Sequence, residues 1–266
     1  TNVTVKTAFA LSSNVGISRL ANQMYQKDPS KYTQHLIESG ITKETGIELA
    51  GERKPVFKLD PKNKNEWYGT TVPWMSVGYE LELTPLQLLT YYNGIANDGK
   101  MMKPYLVQET QQYGVTLQET EPVVLNEKLA SESTIKKLQE CLFAVFDSGT
   151  AKHLKNDYYQ FAGKTGTAKV VENKVYSDKY LASFAGYFPY DVPKYAIVGM
   201  VHSPSNHVYY GGAVAAPVFR EIADKVYSHF INIREPINNT NTQYVGVDAK
   251  ARGYAYDFRQ ILSWLH

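Results

Sequence analysis

Cysteine is almost missing from this chain: Cys141 is the single one among 266 residues. One thiol excludes an internal disulfide and a cysteine-based zinc cluster. It falls among Leu138, Leu142, Phe143 and Phe146 on a helical pattern, where buried packing is expected rather than a nucleophile. No apolar run approaches the roughly 18 residues that a membrane span requires. No signal-peptide pattern opens the chain. It starts at Thr1 inside a helical pattern, so any targeting segment is expected upstream. Net charge is only +2, which implies neither nucleic acid nor an anionic surface as partner. The six histidines show no metal-ligand spacing, and His202 and His207, flanking a loop, read as solvated or structural. No metal and no cofactor is expected.

What is present suits one large or two small domains: 43% hydrophobic and 20% charged residues, with chain enough to bury a core. The 21 tyrosines would suit an aromatic-walled cleft, although ordinary packing accounts for most of them. Val3–Leu11 and Val15–Gln26 carry apolar residues at helical spacing. Between them lie Ser12-Ser13-Asn14, residue types that favour turns and caps. Asp28 and Pro29 read as N-cap and N1 of a helix that Gly40 closes. Residues 41–80 read as irregular. Thr84-Pro85-Leu86-Gln87 is a capping box with proline at N1, opening a helix to about Asn97 with Gly99 past its end. Tyr105–Leu125 reads as a short β excursion, and Ser131 or Ser133 caps a helix that runs to about Asp147 and is stopped by Gly149. The period then changes from helical to alternating. Strands are expected at about 159–171, 180–188 and 194–202, the last two forming an antiparallel hairpin, and Gly211-Gly212 precedes a helix at about 214–230. Residues 232–243 are a polar linker, and 244–266 form a tail with one helix that cannot make a core alone. Helices, then an antiparallel sheet, then a covering helix make an α+β fold.

One strand is unusual. "YQFAGKTGTAKVV", Tyr159 to Val171, carries Gly163, Lys164 and Gly166 where packing residues are expected. Glycine in a strand weakens it and often marks close approach by another backbone, here an extended ligand. An edge strand whose lysine discourages aggregation explains the same residues. Taken alone, the segment leaves both readings open.

Three separated stretches share a pattern: "SSN" (Ser12-Ser13-Asn14), "KTGT" (Lys164-Thr165-Gly166-Thr167) and "YYGGAVAAPVF" (Tyr209 to Phe219). They resemble the signature set of the penicillin-binding transpeptidases, whose motifs are Ser-x-x-Lys, a Ser-x-Asn-type triplet and K-T-G. Residues 74–107 resemble that family's long helix and its approach, and "ASFAGYFP" (Ala182 to Pro189) resembles the strand after K-T-G. Singly these motifs are weak. In this order over about 1–230 they are specific, and "SSNVGISRLA" is most similar to class B, division-type peptidoglycan D,D-transpeptidases.

The resemblance implies a β-lactamase/transpeptidase-like α+β fold and a partial transpeptidase domain over residues 1–231. It implies peptidoglycan stem peptide as substrate, β-lactams as inhibitors, division or elongation proteins as partners, and no nucleic acid. The location implied is the extracytoplasmic side of a bacterial envelope, with a membrane anchor upstream. Acyl transfer needs a nucleophile, a proton relay, an oxyanion site and a grip on the substrate. Ser12 would relay a proton, the Asn14 amide would orient substrate and lysine, and Lys164 would attract a carboxylate. Thr165 and Thr167 would add hydroxyl donors, and Gly166 would leave room for a substrate backbone pairing as an added strand. By resemblance, the Thr167 backbone N–H is an oxyanion donor and Tyr209 and Tyr210 wall the cleft. The plainer readings are helix capping for Ser12 and Asn14, and packing for the two tyrosines.

The nucleophile does not appear. In this family Ser-x-x-Lys precedes Ser-x-Asn by tens of residues, and only eleven residues precede Ser12. The one match, Ser133-Thr134-Ile135-Lys136, falls at a helix start, where a capping serine is expected. The nucleophile and further strands of the sheet are therefore expected upstream, and the chain alone is expected to be inactive. Two alternatives stay open: a non-catalytic sensor domain on the same fold, and a D,D-carboxypeptidase or β-lactamase. The 232–266 tail faintly resembles a linker into a small appended domain such as PASTA.

Overall fold

The computed structural model describes residues 3–229 except 157, 173–174 and 206. The expected linker and tail, 232–266, lie outside the described residues. Helices α1 (Val5–Ala10), α2 (Asn14–Tyr25) and α3 (Pro29–Glu38) come first. Their starts follow capping chemistry: the Thr4 hydroxyl accepts from the Thr7 N–H, and that of Ser13 from the Gly16 N–H. Asp28 makes no capping bond to the backbone of α3; its carboxylate instead accepts from the Ser30 hydroxyl. Gly40 has φ +79°, the left-handed stop expected of glycine there.

Residues 41–80 are less irregular than their composition suggests. They hold the short strand β1 (Val56–Phe57) and helix α4 (Thr71–Met75). Strand β1 pairs antiparallel with β2 (Leu81–Glu82), a partner too short to show any alternation. Helix α5 (Pro85–Ala96) opens with both bonds of its capping box: Gln87 N–H to Thr84 Oγ1 at 3.2 Å and Thr84 N–H to Gln87 Oε1 at 2.9 Å. The β excursion resolves into β3 (Met101–Met102) paired with β6 (Val124–Asn126), and a protruding hairpin of β4 (Glu109–Gln112) with β5 (Val115–Glu119).

Helix α6 (Glu132–Asp147) is capped by Ser131, whose hydroxyl accepts from the Thr134 N–H. Gly149, two residues past its end, does not turn left-handed. It is there for space: a Cβ would lie 2.3 Å from the Ala10 carbonyl oxygen.

Strands β7 (Ala162–Glu172), β8 (Val175–Phe188) and β9 (Tyr195–His202) form one antiparallel sheet in that order, with Lys164 opposite Ala185 and Ala185 opposite Val198. Strand β8 begins five residues earlier than its alternation suggested. Around the hairpin tip Val171, Val175 and Tyr176 are all exposed, so no buried face marks the pairing there. Helix α7 (Gly211–His229) includes the two glycines that read as its approach.

The sheet separates two cores. On one face Phe184 and Phe188, with Phe161 just before β7, meet Ala215, Ala216, Phe219 and Ala223 of α7. On the other, Ala162 and Tyr187 meet Ile95 of α5 and Met101. Helix α6 serves both, giving Val145 and Phe146 to the first and Ile135 and Leu142 to the second. The alternation of a strand makes this possible: neighbouring residues 187 and 188 bury on opposite sides.

Candidate active site

A groove of about 980 Å³ runs along β7, and all eight residues singled out from the sequence line it: Ser12, Asn14, Lys164, Thr165, Gly166, Thr167, Tyr209 and Tyr210. Ser12 arrives on the turn between α1 and α2. Its φ of 52° is the left-handed region that residues other than glycine seldom adopt. The turn is closed by Ser12 N–H to Phe9 O (3.1 Å) and Ser13 N–H to Ala8 O (2.8 Å). Asn14 is exposed as the first residue of α2. Ser13, between them, is the residue that caps. The capping reading therefore accounts for neither Ser12 nor Asn14, the residues it was offered for.

Lys164 Nζ donates to Ser12 Oγ across 152 sequence positions, and to the Thr165 carbonyl at 3.1 Å. The ring of Phe9 lies 5.8 Å from the ammonium. Burial pushes the Lys164 amine down to about 8 from 10.5. At pH 7 an amine of that pKa is protonated in roughly ten copies of eleven, so it acts mainly as a cation there. Its charge is lost as pH rises through about 8. Affinity for a carboxylate ligand is accordingly expected to fall across that point, not near 10.5. A pH titration of non-covalent ligand affinity checks this, with an alkaline loss only above pH 10 as the contrary result.

Thr165 and Thr167 are already engaged within the protein. The Thr165 hydroxyl lies 2.8 Å from that of Thr150, and the Thr167 hydroxyl accepts from the Gly211 N–H at 2.9 Å. Thr167 is exposed and retains its own proton for a further acceptor. The glycines have internal reasons. A Cβ on Gly163 would lie 2.4 Å from the Phe184 ring, and one on Gly166 2.4 Å from Ser183 Oγ. One on Gly211 would lie 2.2 Å from the Gly166 carbonyl oxygen. The space at Gly163 and Gly166 is thus taken by β8 and not by the extended ligand that these glycines suggested, and the backbone at Gly211 of α7 also packs closely on the strand.

Tyr209 stacks on Tyr180 with centroids 3.9 Å apart and planes 11° from parallel, and Tyr210 follows at 4.6 Å. Packing thus explains Tyr209, whereas Tyr210 is 61% exposed. Tyr180 escaped the sequence reading because nothing distinguishes it from other strand tyrosines. The opposite wall, Met75 to Tyr79, lies in the 74–107 stretch whose resemblance was noted, but no role in the groove was read from it. Tyr79 stands between Gly78 (φ +95°) and Glu80 (φ 57°), edge-on to Trp74 at 5.0 Å and to Tyr176 at 6.3 Å. Thr150 and His153 also line the groove. The only sequence signal near them was Gly149, taken as a helix stop.

Ser133 and Lys136 are not among the groove's lining residues. Lys136 pairs with Glu132 at 2.6 Å, and that hydrogen bond and charge raise its pKa, opposite to what a base requires. Cys141 is half-buried, and burial pushes its thiol up. Among the described residues no cluster of three or more His, Cys, Asp or Glu could hold a metal. Among the same residues no helix is long and apolar enough to cross a membrane.

A family model described as the penicillin binding protein transpeptidase domain matches residues 1–224. Peptidoglycan D,D-transpeptidase FtsI of Escherichia coli K12 is 34% identical over 215 residues, which is 79% of this chain and 33% of that protein. Penicillin-binding protein PbpB of Mycolicibacterium smegmatis is 31% identical over 227 residues, 81% of this chain and 34% of that one. The apo structure of penicillin binding protein 3 from Mycobacterium tuberculosis superposes with a TM-score of 0.74 at 29% identity, covering 88% of this chain and 53% of that one. Its aztreonam complex gives 0.73. The chain thus spans about a third of the length of these curated relatives.

Proposed function

Because the chain belongs to the penicillin-binding protein transpeptidase domain family, we propose that it carries the substrate-gripping part of a class B peptidoglycan D,D-transpeptidase. The observation that carries this reading is the hydrogen bond from Lys164 Nζ to Ser12 Oγ in the groove. In the full-length protein a serine from an upstream Ser-x-x-Lys segment attacks a stem-peptide carbonyl, forming an ester and expelling an amine. A second amine then attacks the ester and completes the crosslink. Ser12 accepts a hydrogen bond from the Lys164 ammonium, which leaves its own proton available to the departing amine. Lys164 attracts the peptide's carboxylate, with the free proton of the Thr167 hydroxyl beside it. Gly211 and Gly212, the first turn of α7, add the partial positive charge of a helix N-terminus.

A β-lactam presents a carboxylate and an acyl group to the same side chains and traps the serine. The complexes of the mycobacterial penicillin binding protein 3 with aztreonam and ampicillin support this. The site then lies on the extracytoplasmic side of a bacterial envelope, held there by an upstream anchor and working with division or elongation proteins. Residues 1–231 form the transpeptidase part, 232–243 a linker, and 244–266 a tail or the start of another module.

This chain alone forms no acyl-enzyme, since Ser133 is its only Ser-x-x-Lys serine and Lys136 is tied to Glu132. Gel fluorescence and intact mass with a fluorescent penicillin test both halves of the proposal. The full-length protein is expected to label one-to-one and this chain not at all. Stoichiometric labelling of the chain would overturn the missing nucleophile, and an unlabelled, folded full-length protein would favour a sensor.

A further inference from the structure

Three segments of the groove meet at Thr150, a residue that does no chemistry in the scheme above. We propose that Thr150 is a positioning residue whose hydroxyl and backbone hold the Ser12 turn, the Lys164 strand and the first turn of α7 in register. The inference deepens the transpeptidase reading and rests on it for its catalytic consequence.

Each part of the residue touches a different segment. Its N–H donates to the Ala10 carbonyl at 3.1 Å, two residues before Ser12. Its hydroxyl lies 2.8 Å from the Thr165 hydroxyl, and the Thr165 carbonyl in turn accepts from Lys164 Nζ at 3.1 Å. Its carbonyl oxygen would be only 2.9 Å from a Cβ on Gly212, so the start of α7 closes against it. Thr150 is itself held from behind. Ala151 is fully buried, and its N–H returns to the Val145 carbonyl of α6 at 3.0 Å. A fixed helix end therefore serves as the reference point for segments far apart in sequence.

The hydroxyl is the part that a different small residue could not replace. Side chains alternate across β7, so Thr165 points away from the side that Lys164 occupies. Toward Thr150 its hydroxyl is half-buried, where an unmade hydrogen bond is costly. Removing the Thr150 oxygen frees Thr165 to seek another acceptor, and any tilt of its peptide moves the carbonyl that holds Lys164. Misplacement by about 1 Å of groups that must meet in a transition state can cost as much as 10²-fold in rate.

The test compares wild type, Thr150→Val and Thr150→Ser in the full-length protein. Valine keeps the shape and loses the oxygen; serine keeps the oxygen. Two readouts are taken: the limiting rate of acylation by benzylpenicillin, and the titration midpoint of Lys164 by NMR. Thr150→Val is expected to acylate about tenfold more slowly at saturation, with the Lys164 midpoint moved up by about half a pH unit or more toward its ordinary value. Thr150→Ser is expected to stay within about threefold of wild type in rate and to share its midpoint. A Thr150→Val protein that matches wild type in either readout overturns the proposal, even if its melting temperature has dropped. So does a serine variant as impaired as the valine one. A wild type that never acylates sinks the transpeptidase reading alone, and the Lys164 midpoints then decide the case of Thr150 by themselves.

Discussion

Replacing Lys164 with alanine in the full-length protein is expected to slow covalent labelling by a fluorescent penicillin by about 10²-fold or more. Two losses combine. The groove loses the cation proposed to face the ligand's carboxylate, and Ser12 loses the donor to its hydroxyl oxygen. The second loss acts where charge and protons move, which is why the effect should fall on the acylation step and not only on encounter. Lys164→Arg separates the two. It restores a cation, but one that stays charged through the alkaline range and is too broad for a site shaped around an ammonium. Recovery of affinity without recovery of the limiting rate is the expected outcome. Labelling of Lys164→Ala within about threefold of wild type would remove the lysine from any central role.

The other large effect is on folding. Phe219→Ala is expected to destabilise the protein by about 3–5 kcal/mol. The ring is fully buried on α7, with its centroid 4.6 Å from that of Phe184, 5.7 Å from Phe161 and 6.1 Å from Phe146. Emptying it leaves a cavity bounded by aromatic rings that cannot collapse inward, which places the cost at the high end for a core truncation. Against a typical total of about 5–15 kcal/mol, that is a large share. Denaturant unfolding should show a lower midpoint with an unchanged slope. Tyr210→Ala, on a residue 61% exposed, should change stability by no more than about 0.5 kcal/mol. Equal losses for the two variants would mean that α7 is not held by the Phe219 cluster.

What the sequence made legible follows from how local each cause is. Thr84 and Gln87 sit three residues apart and cap one helix, so their pattern is complete on the page and both bonds form. The K-T-G strand and its neighbours likewise follow from alternation. The glycines were harder. Gly163, Gly166 and Gly211 look alike in sequence, and their neighbours Phe184, Ser183 and Gly166 are known only once β8 and α7 have docked. A ligand and a neighbouring strand make the same demand on a missing Cβ. Thr150 and Tyr180 were invisible for the same reason: each is defined by a partner at least fifteen residues away. The convergence of Ser12 and Lys164 was the exception, because a motif set carries its long-range geometry with it.

The crowding around those glycines bears on how such a groove can change over generations. Gly163, Gly166 and Gly211 are each confined by atoms of the protein's own sheet and helix. A substitution at Gly163 or Gly211 meets backbone atoms and disturbs folding before it can alter what binds, whereas at Gly166 only the Ser183 hydroxyl, which can rotate, stands in the way. The rim differs. Tyr210, at the start of α7, is largely exposed, and Gly78, on the opposite wall, has no neighbour within 4 Å of an added Cβ. Gly78 is held instead by its backbone angle, with φ +95°, so side-chain exchange there is limited by conformation and not by space. Heritable shifts in what the groove accepts therefore have a freer route at exposed side chains such as Tyr210 and Thr167 than at Gly163 and Gly211.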